Sequence, residues 1–309
     1  MIQCAMCNPA VDVVYTLDEL KPGTTAVDIP SSIYPAGKGI NVAKVVKALG
    51  EDTRVLALIP DNDRVRFSTY LDLLEIDYAF YPVAGSARIN TTFAEKEIRQ
   101  ATHINSVGTS YPPRVQDEFI AFVQSHLEKG DRWVFTGSLP RGFTPDTYAR
   151  LIRAVREKQI FCLLDSRGEA LRQGVRAFPT MVKPNLSELE EFFGEHIQGV
   201  HHIALKGKRL LDLGIEYVFI SLGADGMIAI HQNECLLCCG PSIEPVDTVG
   251  GGDAMVAGLL VAHGRGFSFS ETCRLAIACG AGNALHRGPG VIQRDEVWRL
   301  MENVRVEAV

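Results

Sequence analysis

The chain has 309 residues, 46% of them apolar and 22% charged, and a formal net charge of −6. That size and balance predict a globular α/β domain with a substantial core and room for a small appendage. The acidic balance, with no Lys/Arg-rich stripe, argues against DNA or RNA as partner, and no apolar stretch reaches membrane-spanning length, so a small-molecule partner is expected.

In chain order, the run Met1-Ile2-Gln3-Cys4-Ala5-Met6-Cys7 is apolar but too short for a signal h-region and has no basic leader, which reads as a cytosolic protein. Cys4 and Cys7 form one CxxC, and Cys235 and Cys238 another. Both lie in strand-like stretches, where residues three apart face opposite ways and do not converge on one ion. The eight cysteines therefore read as reduced, mostly buried core thiols. Residues 11–33 and 87–105 are rich in Thr, Ile and Val with polar residues interleaved, and predict two strand-rich excursions that together make a small β-lid. Bare strand edges in such a lid predict a homodimer with lid-to-lid contact. Between these segments, Gly37 and Gly39 precede an amphipathic helix that ends at Gly50, with Lys38 and Asn41 near its start. An ordinary capped helix with a surface lysine, or polar contact with a ligand, would each suit this pattern.

From about residue 131 the chain alternates strand and helix. Apolar runs at 160–165, 180–183 and 217–221 read as buried parallel strands, with helical patterns at 187–193 and 203–213 between them. This alternation predicts a doubly wound, mostly parallel sheet. Ligands collect at the carboxyl ends of such strands, which singles out Asp165, Lys183 with Asn185, and Ser221. Arg167, just beyond Asp165-Ser166, also stands out; a surface ion pair is its ordinary explanation. The histidines are scattered, and His201-His202 precede a helix with no third ligand at metal spacing, so packing or solvated roles are expected for them.

The most informative stretch is Asp247-Thr248-Val249-Gly250-Gly251-Gly252-Asp253, followed by an apolar helical segment. A glycine-rich turn feeding a helix offers free backbone N–H groups and the positive dipole end, which suits phosphate oxygens. Asp253 at the junction is either an N-cap or a general base beside an anion hole, and local sequence leaves both open. Neither GxxxxGK[ST] nor GxGxxG occurs, so a bound nucleotide would need another architecture.

Taken together, Gly37-Lys38-Gly39-Ile40-Asn41-Val42-Ala43 and Asp247 to Asp253 closely resemble the two signatures of the ribokinase-like, phosphofructokinase B carbohydrate kinase family. The second is usually DTxGAGD, and here Gly251 stands in place of the alanine. Further blocks follow the family's order: Asn8-Pro9-Ala10-Val11-Asp12, Thr136-Gly137-Ser138-Leu139-Pro140, Lys183-Pro184-Asn185-Leu186-Ser187-Glu188 and Ser221-Leu222-Gly223-Ala224-Asp225-Gly226. Arg88-Ile89-Asn90 and Asp165-Ser166 with Glu169-Ala170-Leu171 resemble the hexose-phosphate branch, that of 1-phosphofructokinases and tagatose-6-phosphate kinases.

The resemblance implies a ribokinase-like fold and an ATP-dependent, Mg²⁺-assisted kinase acting on a hexose phosphate. Asp253 would be the base, with the N–H groups of Gly250, Gly251 and Gly252 on the transferring oxygens. Asp12, Gly37, Lys38 and Asn41 would hold sugar hydroxyls or the substrate's phosphate, Gly39 and Ser138 would also bind the substrate, and Arg88 would pair with its phosphate. Lys183, Ser221, Gly223, Gly226 and Asn283 would follow the nucleotide, while Asn185 and Glu188 would orient Mg²⁺ through water; a plain surface-helix position is the alternative for Glu188. Some relatives also bind K⁺ near residues matching Asp247 and Val249, which this sequence leaves open. Two departures bear on the substrate. The presumed lid strand Thr24-Thr25-Ala26-Val27 lacks the Asn or Lys that helps relatives hold a phosphate, and the lid hairpin near Glu95-Lys96-Glu97 is short and charged. Kinases of an unphosphorylated sugar, polyol or nucleoside are therefore the enzyme alternatives, and a non-catalytic binding regulator is the alternative of another class.

Overall fold

Three β-branched or apolar runs open the chain and part at once into two sheets. In the computed structural model, which describes residues 1–95 and 100–309, β1 (Ile2–Met6) enters a large sheet, while β2 (Ala10–Leu17) and β3 (Ser31–Ala36) leave it. There follow α1 (Lys38–Ala48), β4 (Thr53–Pro60), α2 (Arg64–Leu73) and β5 (Asp77–Val83). The chain then makes β6 (Arg88–Glu95) and β7 (Gln100–Asn105) before returning through α3 (Pro113–Ser125). The βα alternation expected after residue 131 comprises β8 (Arg132–Thr136), α4 (Thr147–Glu157), β9 (Phe161–Asp165), α5 (Gly168–Val175), β10 (Met181–Val182), α6 (Leu186–Phe193), α7 (Val200–Asp212) and β11 (Tyr217–Ser221). A hairpin of β12 (Met227–His231) and β13 (Glu234–Cys239) leads to α8 (Gly251–Gly264), α9 (Phe269–Ala284), α10 (Arg294–Glu302) and β14 (Arg305–Ala308).

The large sheet runs β14-β13-β12-β11-β10-β9-β8-β1-β4-β5. From β11 to β5 every neighbouring pair is parallel, and β12, β13 and β14 add an antiparallel edge. The doubly wound sheet is thus wider than the sequence from residue 131 suggested, because β1, β4 and β5 complete it. From β1 the chain proceeds one way to β4 and β5, and the later strands stack on the other side of β1. A crevice opens where the strand order reverses, so the carboxyl ends of β1 and β8 are where a ligand is expected.

Both faces of the sheet are covered. α1, α2, α8, α9 and α10 pack on one side and α3 to α7 on the other. α8 is buried on all sides from Asp253 to Ala262, so it is an interior helix and shows no polar face. In β1, Cys4 joins the first layer while Cys7, just past the strand, joins the second; Cys235 and Cys238 divide in the same way. The CxxC pairs therefore straddle the sheet, as strand alternation requires. His201 and His202 lie inside the first turn of α7 and do not precede it.

The lid is a separate four-stranded sheet of order β3-β2-β6-β7, drawn from the two segments the sequence marked. Register places Asp12 opposite Tyr34 and Asn90, and Asn90 opposite Asn105, on one face; Arg88 shares it by the two-residue period. Val13 stands opposite Ile33 and Thr91, and Thr91 opposite Ile104, on the other. One face is therefore polar and the other apolar. The stretch Thr24-Thr25-Ala26-Val27 is not a strand as expected. It lies in the exposed connection between β2 and β3, where Pro22-Gly23 turns the chain. Of the hairpin expected near Glu95, Lys96 and Glu97 fall outside the described residues.

Candidate active site

Four elements bring charged side chains to the carboxyl end of the sheet. Asp165 ends β9 at 1% exposure and lies between two lysines, with Lys38 Nζ at 2.8 Å from Oδ2 and Lys183 Nζ at 3.1 Å from Oδ1. Thr136 Oγ1, from the end of β8, also donates to Oδ2 at 2.9 Å. Burial disfavours the Asp165 charge, but Lys183 and Lys38 outweigh it and hold this carboxyl well below the usual carboxylate range. Burial likewise works against the Lys38 charge, and Asp165 and Asp253 more than offset it, so its pKa is raised.

Asp253 stands on the first turn of α8, and Gly250 is the N-cap in the left-handed region at φ 83°. Gly250 is required there twice over, since a Cβ would also sit 2.6 Å from the Pro289 Cβ. Asp253 makes no capping bond. Its Oδ2 accepts from Asn41 Nδ2 at 2.8 Å, and Oδ1 lies 3.9 Å from Lys38 Nζ. Burial pushes its pKa up to about 6, with Lys38 pulling against that shift and Asp165 adding to it. A carboxylate of this strength is ionised at neutral pH yet basic enough to take a proton from a reacting hydroxyl.

The amides around Asp253 form the complementary half. Ala254 N–H makes the first bond into α8, to Gly250 O at 2.9 Å, so the Gly252 and Asp253 amides have no intrahelical acceptor. Gly251 N–H, one of the three expected donors, turns back onto Thr248 O at 3.3 Å. Lys183 Nζ lies 3.6 Å from where a Cβ on Gly252 would stand, so its charge sits beside these amides although it is spent on Asp165.

This pairing of a buried carboxylate with a glycine-turn amide cradle, at a sheet's switch point, is decisive once joined to sequence similarity, because residues 7–295 match the pfkB family carbohydrate kinases. The chain belongs to that family. It is a carbohydrate kinase, a phosphotransferase with an alcohol acceptor. It is 33% identical to a 1-phosphofructokinase of Haemophilus influenzae over 304 residues, 98% of this chain and 96% of that protein. A 1-phosphofructokinase of Vibrio cholerae is 31% identical over 302 residues, 98% and 95% of the two chains. The fold is that of phosphofructokinase-2 from Escherichia coli, solved in complex with potassium, at a TM-score of 0.91 and 21% identity over 98% of each chain.

Of the expected residues, Ser138 lines a side cleft, which does not include Asp253, Lys38, Asn41, Asp12 or Arg88. Asn8 Nδ2 donates to Ser138 Oγ at 3.0 Å across the β1/β8 switch point. Ser138, Ser166, Arg167 and Gly168 line that cleft, of about 540 Å³. On the polar lid face, Arg88 Nη1 donates to Asn90 Oδ1 at 3.1 Å, and Asn90 Nδ2 donates to Asp12 Oδ1 at 2.8 Å. Burial raises the Asp12 pKa against the Asn90 hydrogen bond and the Arg88 charge.

Several residues expected to touch ligand also make structural contacts of their own. Lys38 is held between Asp165 and Asp253, so its charge is committed to carboxylates and is not a free anchor for a substrate phosphate. Gly37 and Gly39 turn their bare sides to Met6 of β1, whose Sδ lies 2.2 Å from a Cβ built on Gly37; what they permit is the close seating of α1 on the sheet. A Cβ on Gly226 would similarly collide with the Cys238 carbonyl oxygen, so glycine is a requirement of the hairpin. Asn283 is fully buried, donating to Val249 O and accepting from Gly290 N, both at 2.8 Å. With both ends occupied it braces the glycine turn and does not face adenine or ribose. Asn185 and Glu188 form a reciprocal capping box on α6, Asn185 N to Glu188 Oε2 at 2.9 Å and Glu188 N to Asn185 Oδ1 at 2.8 Å.

Asp165 is the residue whose role sequence reasoning missed. Its signals were a carboxylate at the end of an apolar strand and its place in the Asp165-Ser166 block; the two lysines it joins come from residues 127 positions earlier and 18 later.

Proposed function

We propose that the protein transfers the γ-phosphoryl group of ATP to a hydroxyl of a hexose phosphate, in the manner of a 1-phosphofructokinase, with Asp253 as the base. The observation that carries this reading is Asp253 itself, buried, with its pKa near 6, and standing beside the unbonded amides of Gly252 and Asp253. Asn41 aims its carboxylate, and Lys38 keeps a positive charge 3.9 Å away as negative charge develops. Asp253 removes the hydroxyl proton as the oxygen attacks, while the turn amides stabilise the equatorial oxygens of the transferring group.

The residues present fit a nucleotide and its metal. ATP supplies the phosphoryl group. Gly223, with no atom within 4 Å of a Cβ placed on it, and Ser221, at the end of β11, leave an open shelf for the nucleotide beside the strand ends. Glu188 and Asn185 would hold Mg²⁺ through water, since the capping box leaves Glu188 Oε1 unused and burial raises the Glu188 pKa next to Asp165. Asp247 accepts from Val249 N and Gly288 N, which orders the backbone where K⁺ would bind; potassium is present in the phosphofructokinase-2 structure.

The apolar lid face supports a homodimer. Ile33 is 59% exposed, Ile104 58% and Ile89 50%, and Tyr15 stacks on Phe93 at 5.6 Å in the same face. A second lid laid against it would bury this row and the two free edge strands. An unphosphorylated sugar is the second reading, favoured by the commitment of Lys38 to Asp165. ADP release measured over fructose 1-phosphate, fructose 6-phosphate, tagatose 6-phosphate, free sugars, inositol and nucleosides decides between them. A phosphosugar should give the highest kcat/KM, and a faster neutral polyol would overturn the phosphosugar assignment.

A further inference from the structure

Lys44 is a cation on α1 that the reaction as proposed does not use. It follows Asn41 by three residues, so the two stand on one face of the helix. Its Nζ donates to Pro289 O at 2.6 Å. Burial lowers its pKa to about 8, and among the described residues no carboxylate opposes that shift. An ammonium taken out of water without an ion-pair partner costs free energy, a cost that an apolar side chain of the same length would avoid. What Lys44 contributes therefore lies in the group it holds.

Pro289 belongs to the connection between α9 and α10, residues 285–293. This connection lies against both parts of the site that serve Asp253. A Cβ on Gly250, the N-cap of α8, would sit 2.6 Å from the Pro289 Cβ, and one on Gly290 would sit 2.7 Å from Asn41 O and 3.0 Å from Asn41 Cα. With no side chain on either glycine, the backbones bear on one another directly, and a shift of Pro289-Gly290 is passed to the turn and to Asn41 together. Two ties fix the connection from its own side. Asp247 accepts from Gly288 N at 3.0 Å, and Asn283 of α9 accepts from Gly290 N at 2.8 Å. Lys44 supplies the tie to α1, and among the described residues no other side-chain hydrogen bond joins the two. We infer that Lys44 is a positioning residue: by holding the Pro289 carbonyl it locks α1 to this connection, and so fixes Asn41 and the glycine turn relative to one another around Asp253. The inference rests on Asp253 as the base. Phosphoryl transfer depends on close placement of base and amide donors, so loosening this lock slows the chemical step more than it weakens binding.

The test compares Lys44→Met, Lys44→Arg, Asn41→Ala, the double variant Lys44→Met with Asn41→Ala, and Asp253→Asn with the wild type. The substrate is whichever of fructose 1-phosphate, fructose 6-phosphate, tagatose 6-phosphate and free fructose the wild type turns over fastest, with Mg²⁺ and K⁺ in excess. Lys44→Met should lower kcat about tenfold while KM for the sugar and for ATP stays within about threefold. Lys44→Arg should recover most of kcat, because its guanidinium can still donate to Pro289 O. The loss in the double variant should fall well short of the product of the two single losses, since both act on one placement. Lys44→Gln, with a shorter, uncharged donor, replaces Lys44→Met under the same limits if the latter does not fold. A kcat for Lys44→Met within about twofold of wild type, or single losses that multiply in full, would overturn the role of Lys44 and leave the base assignment standing as long as Asp253→Asn is impaired. Turnover by Asp253→Asn above about a tenth of wild type would overturn both.

Discussion

Asp165 and Ile33 stand on opposite kinds of surface, one a 1%-exposed carboxylate clamped by two lysines, the other a 59%-exposed isoleucine on a thin sheet. The strand-end cluster is over-determined. Each charge in it has a partner from a different element, and the elements are pinned by the main core on both faces of the sheet. The lid has no such backing; its strands are half-buried at most over much of their length, and its two faces divide cleanly into polar and apolar. Under the function proposed above, the contrast assigns chemistry and selectivity to different material. Proton removal requires charges held at fixed spacing in a low dielectric, whereas choosing a substrate requires a polar face that can be presented to a cleft.

Replacing the base attacks the cluster at its most sensitive point. Asp253→Asn should lower kcat by roughly two to four orders of magnitude, the scale of a lost general base, with nucleotide binding retained; turnover above a tenth of wild type would remove Asp253 from that role. In the wild type kcat/KM should fall on the acid side near pH 6, as Asp253 protonates. The sign for stability is opposite. Because the folded pKa exceeds the unfolded one, Asp253 is best tolerated when protonated, and its contribution is lost as pH rises from about 4 through about 6. Asp253→Asn should therefore be more stable than wild type at pH 8, by on the order of 2 kcal/mol in denaturant titrations, and lose that advantage at pH 4.

Asp165→Asn tests the same cluster through its support. Lys183, 3% exposed, would keep a charge without a carboxylate, and unfolding free energy should drop by about 3–5 kcal/mol. Urea midpoints measure it, and a loss below about 1 kcal/mol would show that the cluster is not the over-determined unit described. The lid should respond to substitution far less. Ile104→Asp with Ile33→Asp leaves the monomer fold intact because both side chains are exposed, yet it should shift sedimentation at micromolar protein from dimer to monomer. A wild type that sediments only as monomer would remove lid pairing as the use of the apolar face.

Much of this molecule was legible before its coordinates. The two lid segments, the buried parallel strands after residue 131, the glycine turn into α8 and the separation of each CxxC pair all follow from short-range period and backbone chemistry, which act over a few residues and leave their mark in the sequence. The extent of the main sheet did not, because whether β1, β4 and β5 join it is decided by pairing with strands up to about 130 residues away.

The division is sharpest at the site. Residue types and spacing alone determined that Asp253 follows three glycines at a helix start; that Arg88 and Lys38 bring positive charge to ligand-facing blocks was implied by the family resemblance. Only the tertiary structure decided that Lys38 is ion-paired with Asp165, that Asn41 holds Asp253 and that Asn283 is sealed behind the turn. The physical reason is that a charged side chain takes its role from the nearest opposite or like charge. That neighbour is set by how distant strands and helices converge, a relation no local window of sequence contains.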